Sequence, residues 1–293
     1  MRLSVFSIAA TTASVAVAAE LRQVSDFGEN PTNIEMYEYV PDTLADQPAI
    51  VVNMHGCGGS ATSWFQANPE LTSYADQLGF ILIYAGTPNQ MNCWDVHNPD
   101  SLTNGQGGDA LGIVNMVNYA LEEYGGDRER VYAMGSSSGA MMTNVLAGSY
   151  PDVFEAGSAY SGTAHACFAG AEGATPISPN QTCAQGLEHT PEEWASFVHN
   201  SYPGYEGRRT RMQIWHGNAD FLVRPACATE AVKQWSAVLG VELAEEVAGV
   251  PSAEYTQMVY GDGTQLTAYF GEGVGHTAPV NAEYTLRFFG LLD

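Results

Sequence analysis

The amino-acid sequence predicts an α/β protein with a mostly parallel central sheet and helices on both faces. Three observations lead there. Short apolar runs alternate with helical patterns along most of the chain, the order produced when crossover helices join parallel strands. One such run, Arg130–Met134, passes through Gly135-Ser136-Ser137-Ser138-Gly139 straight into small, helix-forming residues, which reads as strand, sharp turn and helix. No internal repeat or low-complexity linker breaks the pattern.

The elements follow in chain order. Arg2 gives a positive start, Leu3 to Val17 is apolar or small, and Val17-Ala18-Ala19 suits cleavage before Glu20. Residues 1–19 therefore read as a secretory signal, too short and too weakly apolar to span a bilayer. Residues 20–293 form a single domain of about 270 residues. Strands are expected at Met36–Val40, Ala49–Met54, Phe80–Tyr84, Arg130–Met134, Ala156–Tyr160, Met212–His216, Thr256–Tyr260 and Leu266–Phe270. Helices are expected at Glu70–Leu78, Ala110–Tyr124, Ala140–Ser149, Pro191–Val198, Cys227–Leu239 and Ala282–Leu291. Within the second of these, Leu111, Val114, Val117 and Leu121 recur at helical spacing and make a core-facing stripe. The longest stretch without a convincing strand, residues 163–210, holds Cys167, Cys183, a short helix with Trp194, and the sequon Asn180-Gln181-Thr182 as a glycosylation site. Loops this long are usually functional or disordered, and two cysteines inside it favour an ordered insertion near the active site.

The formal charge is −23, from 33 acidic and 10 basic residues. Such a surface repels phosphates and anionic lipid, so nucleic acid and membrane are excluded as partners, and a monomer is expected. Five cysteines behind a signal segment read as a disulfide framework. None stands in C-x-x-C spacing, so no metal site is expected, and the odd count leaves one thiol or one intermolecular bond.

Ser137 lies at the centre of G-x-S-x-G, where tight curvature admits only small neighbours and lifts the central hydroxyl out of the sheet. A serine hydroxyl needs a base to take its proton and a third group to orient that base. Upstream, Val51–Met54 runs into His55-Gly56-Cys57-Gly58-Gly59, a turn whose backbone N–H at Cys57, with that of Ser138, would form an oxyanion hole. Downstream, Met212–Gly217 is a strand into a turn with Asp220 shortly after, and Gly273-Val274-Gly275-His276 puts a histidine in a glycine-rich loop before the last helix. The order Ser137, Asp220, His276 is that of α/β-hydrolases. The rival acid Asp262 sits in a hairpin-like Gly261-Asp262-Gly263, and Asp109 opens a helix where capping explains it. His55 and His216 lie at strand ends and brace their turns.

The run Leu21–Asn33, followed by Met36–Pro41, resembles the mature start of fungal acetyl xylan esterases. Further blocks similar to that family are Asn92–Val96, Gly135–Val145, Thr182–Gly186, Pro191–Ser196 and Val274–Pro279. The family is the first carbohydrate esterase family, which shares its hydrolase fold with feruloyl esterases and extracellular polyhydroxybutyrate depolymerases. The resemblance implies an α/β-hydrolase fold with an insertion after the sixth strand. It also implies a secreted, extracellular serine carboxylesterase that removes acetyl groups from acetylated xylan through Ser137, His276 and Asp220, with no cofactor. There are departures: Gly56 and Gly58 stand where the xylan esterases carry tyrosine and threonine, closer to the depolymerase and feruloyl-esterase style. Cys227 falls a few residues before the family's fifth cysteine. The alternatives are a feruloyl esterase acting on hydroxycinnamoylated polysaccharide, a polyhydroxyalkanoate depolymerase-like esterase, or a carbohydrate-binding protein that kept the fold and lost catalysis. Cys57 and Cys93 lie in turns expected at the active-site mouth and Cys167 and Cys183 bracket part of the insertion, so the expected pairs are Cys57–Cys93 and Cys167–Cys183, with Cys227 free. Trp194 and Trp94 are expected to bind substrate, by walling off the acyl site or stacking on a sugar.

Overall fold

The structure, a computed structural model, describes residues 19–169 and 181–293. The expected signal segment, apart from Ala19, and Asn180 lie outside the described residues. Among the described residues, ten strands form one sheet: β1 (Arg22–Val24), β2 (Glu35–Tyr39), β3 (Ile50–Met54), β4 (Ile81–Gly86), β5 (Val131–Ser136), β6 (Ala156–Tyr160), β7 (Arg211–Gly217), β8 (Leu243–Ala248), β9 (Tyr255–Tyr260) and β10 (Leu266–Gly271). Their spatial order is β1-β2-β4-β3-β5-β6-β7-β10-β9-β8. The inner strands from β4 to β10 pair in parallel, and both edges finish in antiparallel pairs.

The pleat divides the core. Ile50, Val52 and Met54 of β3, with Ile81 and Ile83 of β4 and Val131 and Ala133 of β5, face one side. Val51, Leu82, Tyr84, Tyr132 and Met134 alternate to the other. The first side is covered by α4 (Gly108–Tyr124) and α5 (Ser138–Ser149), and further along by α7 (Pro191–Ser201) and α8 (Pro225–Leu239). The second is covered by α1 (Ala61–Ala67), α2 (Pro69–Leu78) and α9 (Ala282–Phe289). A parallel sheet buried on both faces has strands that read as continuous apolar runs, which is why β3, β4 and β5 stood out in the sequence.

Five of the strands and α-helices were not expected: β1, β8, α1, α3 (Pro99–Leu102) and α6 (Gln181–Ala184). The β8 segment, LAEEVA, is exposed along nearly its whole length and lies at the sheet edge, so it lacks the buried face that produces a pattern. The α1 helix has two turns and starts at a Ser60 capping box closed by Ser63, a weaker signal than the usual glutamate.

The strand order places the site. The chain leaves β3 for β4 on one side, while β5 lies on the other side of β3. The loops leaving β3 and β5 therefore diverge and open a crevice at the carboxyl ends of the strands. On the far side of β6, β7 and β10 are parallel neighbours with Gly217 opposite Gly271, so their following loops emerge together.

Candidate active site

Ser137 occupies the corner between β5 and α5 with φ 54° and ψ −118°, a strained conformation for a residue bearing a side chain. The flanking glycines make it possible. A Cβ on Gly139 would sit 2.2 Å from the Met54 carbonyl oxygen, and one on Gly135 would sit 2.5 Å from the Gly139 backbone. The corner thus packs backbone against backbone on the end of β3, and Ser137 N–H donates to Tyr160 O at 2.8 Å.

Ser137 Oγ lies 2.8 Å from His276 Nε2, and His276 Nδ1 lies 2.7 Å from Asp220 Oδ2. The buried carboxylate favours a proton on Nδ1, which leaves Nε2 free to accept from the serine hydroxyl. Asp220 is itself fixed: its Oδ1 accepts from Leu222 N–H and Val223 N–H, both at 2.9 Å. The histidine loop is tied to the acid loop by Ala219 N–H to Val274 O and by Gly273 N–H to Asn218 Oδ1, and to the end of β6 by Ala278 N–H to Ser161 Oγ. His216 donates from Nε2 to Val223 O at 2.8 Å, and burial lowers its pKa, so a neutral second imidazole stands 3.5 Å from Asp220. His55 bonds the Gly56 carbonyl through Nδ1. Both histidines brace their turns.

The turn after β3 faces this pair. Gly58 N–H donates to Met91 O, Asn92 Nδ2 to Gly59 O, and Cys57 is disulfide-bonded to Cys93. Trp94, next in the chain, donates its backbone N–H to Ser138 Oγ and its ring N–H to His55 O. One short segment therefore holds both the β3 turn and the first turn of α5. Among the described residues no acceptor is found for the N–H groups of Cys57 and Ser138. The second disulfide joins Cys167 and Cys183, and the Cys227 thiol is free and buried, donating to the carbonyls of Cys183 and Ala184. Desolvation pushes that thiol up to about 11.

A 420 Å³ cleft opens beside Ser137 and His276, walled by Trp64, Ala67, Leu222 and Thr277. Neither expected tryptophan reaches it. Trp194 is fully buried between α7 and α8, with its ring N–H on Glu230 at 2.7 Å and its edges against His189 and Phe197. Trp94 is buried in the core under α4. Both are consumed by packing, so the expectation that they touch substrate is corrected: the tryptophan at the cleft is Trp64. No described residue of 163–210 lines the cleft either. Trp64 was missed because α1 is short and carries no apolar stripe. Leu222 was missed although the apolar pair Phe221-Leu222 directly after Asp220 in a turn is a readable signal; the two are 88% and 65% exposed, and Leu222 lines the cleft. No group of three or more His, Cys, Asp or Glu side chains able to hold a metal is found among the described residues, and no helix there is long and apolar enough to cross a membrane.

The sheet, the strand–helix corner and the loop order are those of an α/β-hydrolase. The structure of the acetyl xylan esterase from Aspergillus awamori matches with a TM-score of 0.89 at 41% identity, over 93% of this chain and 99% of that one. Over residues 35–249 the chain matches the esterase PHB depolymerase family, and it belongs to that family, among the carboxylic ester hydrolases. It is 65% identical to "Feruloyl esterase B" of Neurospora crassa over 97% of both chains. It is 42% identical to "Acetylxylan esterase A" of Aspergillus ficuum, over 93% of this chain and 90% of that one.

Proposed function

We propose that the protein is an extracellular feruloyl esterase, releasing hydroxycinnamic acids from plant cell-wall polysaccharide by a Ser–His–Asp acyl-enzyme mechanism. Ser137 Oγ attacks the ester carbonyl as His276 Nε2 takes its proton, and Asp220 stabilises the imidazolium. The N–H groups of Cys57 and Ser138 receive the oxyanion of the tetrahedral intermediate. Collapse breaks the bond to the sugar oxygen, which takes the proton from His276 and leaves. Water, deprotonated by the same imidazole, then attacks the acyl-serine and frees the acid. The 2.8 and 2.7 Å hydrogen bonds through His276 support this assignment of roles. Two disulfides fit an oxidising, extracellular setting.

The acyl preference rests on one observation: the cleft at Ser137 is 420 Å³ and walled by Trp64, Ala67 and Leu222. An acetyl group would leave most of that space to water, whereas a flat aromatic acyl group has apolar surface to bury there. Gly56, where the resemblance expects tyrosine in xylan esterases, adds no side chain to the cleft. Higher identity to a feruloyl esterase than to an acetylxylan esterase supports the same choice, which displaces the acetyl preference expected from the sequence. Removal of acetyl groups from xylan stays the second reading, supported by the close structural match to an acetyl xylan esterase. The deciding experiment compares ferulate release from methyl ferulate with acetate release from acetylated xylan by the wild-type protein. Preference for methyl ferulate is expected, and preference for acetylated xylan would replace the first reading by the second.

A further inference from the structure

A second hollow, of 610 Å³, lies between α2 and the start of α9. Its lining residues follow those of the cleft along the chain on both sides. On one wall Trp64 and Ala67 give way to Glu70, Ser73, Tyr74 and Gln77, and on the other His276 and Thr277 give way to Val280, Asn281 and Glu283. Glu70, Ser73, Tyr74 and Gln77 are spaced i, i+3, i+4 and i+7, so they form a single stripe about 10 Å long on α2. Where the cleft is walled by apolar side chains, this hollow is walled by hydroxyl, amide and carboxylate groups.

We infer that this polar furrow receives the sugar chain of the ester substrate. The inference rests on the triad assignment above. The two halves of an ester leave the carbonyl carbon in different directions, and the acyl half takes the cleft beside Trp64. The alcohol oxygen must lie toward His276 Nε2, which protonates it on leaving. The His276–Thr277 segment is the part of the cleft wall that runs on into Val280 and Asn281, so the sugar emerges toward the furrow.

The lining selects the ligand class. Tyr74 OH, Gln77 Oε1 and Asn281 Nδ2 have no protein partner among the described residues, while Asn281 Oδ1 is occupied in capping α9 and Gln77 Nε2 in bonding Ser73. These are the donors and acceptors that sugar hydroxyls pair with. Tyr74 also packs against the core beneath, which gives it a fixed position for a ring to rest on. Lys and Arg are absent from the wall, and two glutamates belong to it, one of them held by Arg287. The furrow therefore suits a neutral, hydroxyl-rich oligosaccharide and disfavours phosphate or acidic sugar at the same position.

The test compares wild type with Ser73→Arg, Tyr74→Ala and Gln77→Ala on two esters: methyl ferulate, which has no sugar, and a feruloylated pentose oligosaccharide. The readout is the ratio of kcat/KM on the oligosaccharide to kcat/KM on methyl ferulate. Tyr74→Ala and Gln77→Ala should lower that ratio roughly threefold to tenfold, the worth of about one hydrogen bond, with the change carried by KM. Ser73→Arg, which fills the furrow from an exposed helix position, should lower it more. Melting temperatures check folding, and because Ser73 and Gln77 are exposed the test does not depend on Tyr74 alone. Ratios within about twofold of wild type in all three variants would overturn the inference. If the wild-type enzyme instead prefers acetyl esters, the acyl reading fails separately. The same ratio taken with acetylated xylo-oligosaccharide over p-nitrophenyl acetate then tests the furrow.

Discussion

The rim of loops above the carboxyl ends of β3, β5, β7 and β10 differs from the excursion between β6 and β7 in what fixes it. The rim is built on backbone contacts: Ser137 N–H on Tyr160 O, Ala219 N–H on Val274 O, and glycines whose Cβ would strike a neighbouring carbonyl. Short polar side chains such as Asn218, Ser161 and Asp220, with the Cys57–Cys93 disulfide, pin its turns. The described part of the excursion is held by side chains. Trp194 meets Glu230, His189 and Phe197, the His165 ring bonds Ser201, and Cys167 is joined to Cys183. The rim therefore presents polar atoms at fixed positions to the cleft, while the excursion spends its aromatic residues on a core of its own. Substitutions in the first region should cost activity, and those in the second should cost stability.

The largest expected effect is Ser137→Ala, which should lower kcat on methyl ferulate about 10⁶-fold while leaving the urea midpoint close to wild type. Substantial residual turnover by the purified variant would remove the triad assignment. Next comes Trp194→Ala, expected to cost about 3–5 kcal/mol of unfolding free energy through lost volume and the lost ring hydrogen bond to Glu230. Its ratio of feruloyl to acetyl turnover, measured in the cold and in the milder Trp194→Phe, should stay at the wild-type value. A shifted ratio would return Trp194 to the substrate pocket and erase the contrast between the regions.

His165 gives the excursion a pH signature. Burial holds its pKa down to about 4, so the folded ring stays neutral while the unfolded ring protonates below about pH 6.5. The sign follows: the contribution is complete above pH 6.5 and is lost as pH falls toward 4, about 3 kcal/mol in all. Urea unfolding between pH 7 and 4 should show this slope in wild type and lose it in His165→Gln; equal slopes would mean that the ring titrates normally. The smallest effect belongs to the rim's own tryptophan. Trp64→Ala should cut the preference for feruloyl over acetyl esters by about tenfold to a hundredfold, 1–3 kcal/mol in transition-state terms. An unchanged preference would move the acyl group away from the α1 wall.

Legibility followed the same division. The chain order Ser137, Asp220, His276 pointed to loops at the ends of particular strands, and the structure brings those three side chains within hydrogen-bond reach of one another. Gly135 and Gly139 marked the corner because only a missing Cβ lets α5 start against β3. The β8 strand escaped notice because it lies exposed at an edge, where no buried face imposes alternation. Trp94, Trp194 and Trp64 look alike as letters, and no spacing rule tells a core tryptophan from one at a cleft.

What the amino-acid sequence determined by itself was whatever the local backbone dictates: strands that are apolar on both faces, helices with one apolar stripe, and turns that only small residues can make. These depend on dihedral freedom and on periodicities of a few residues, which neighbours in the chain supply. The tertiary structure alone decided which tryptophan faces the cleft, and that α2 and the start of α9 enclose a second, polar hollow. Those outcomes depend on residues distant in sequence, Trp64 with Leu222 and Tyr74 with Val280, being folded around the same hollow.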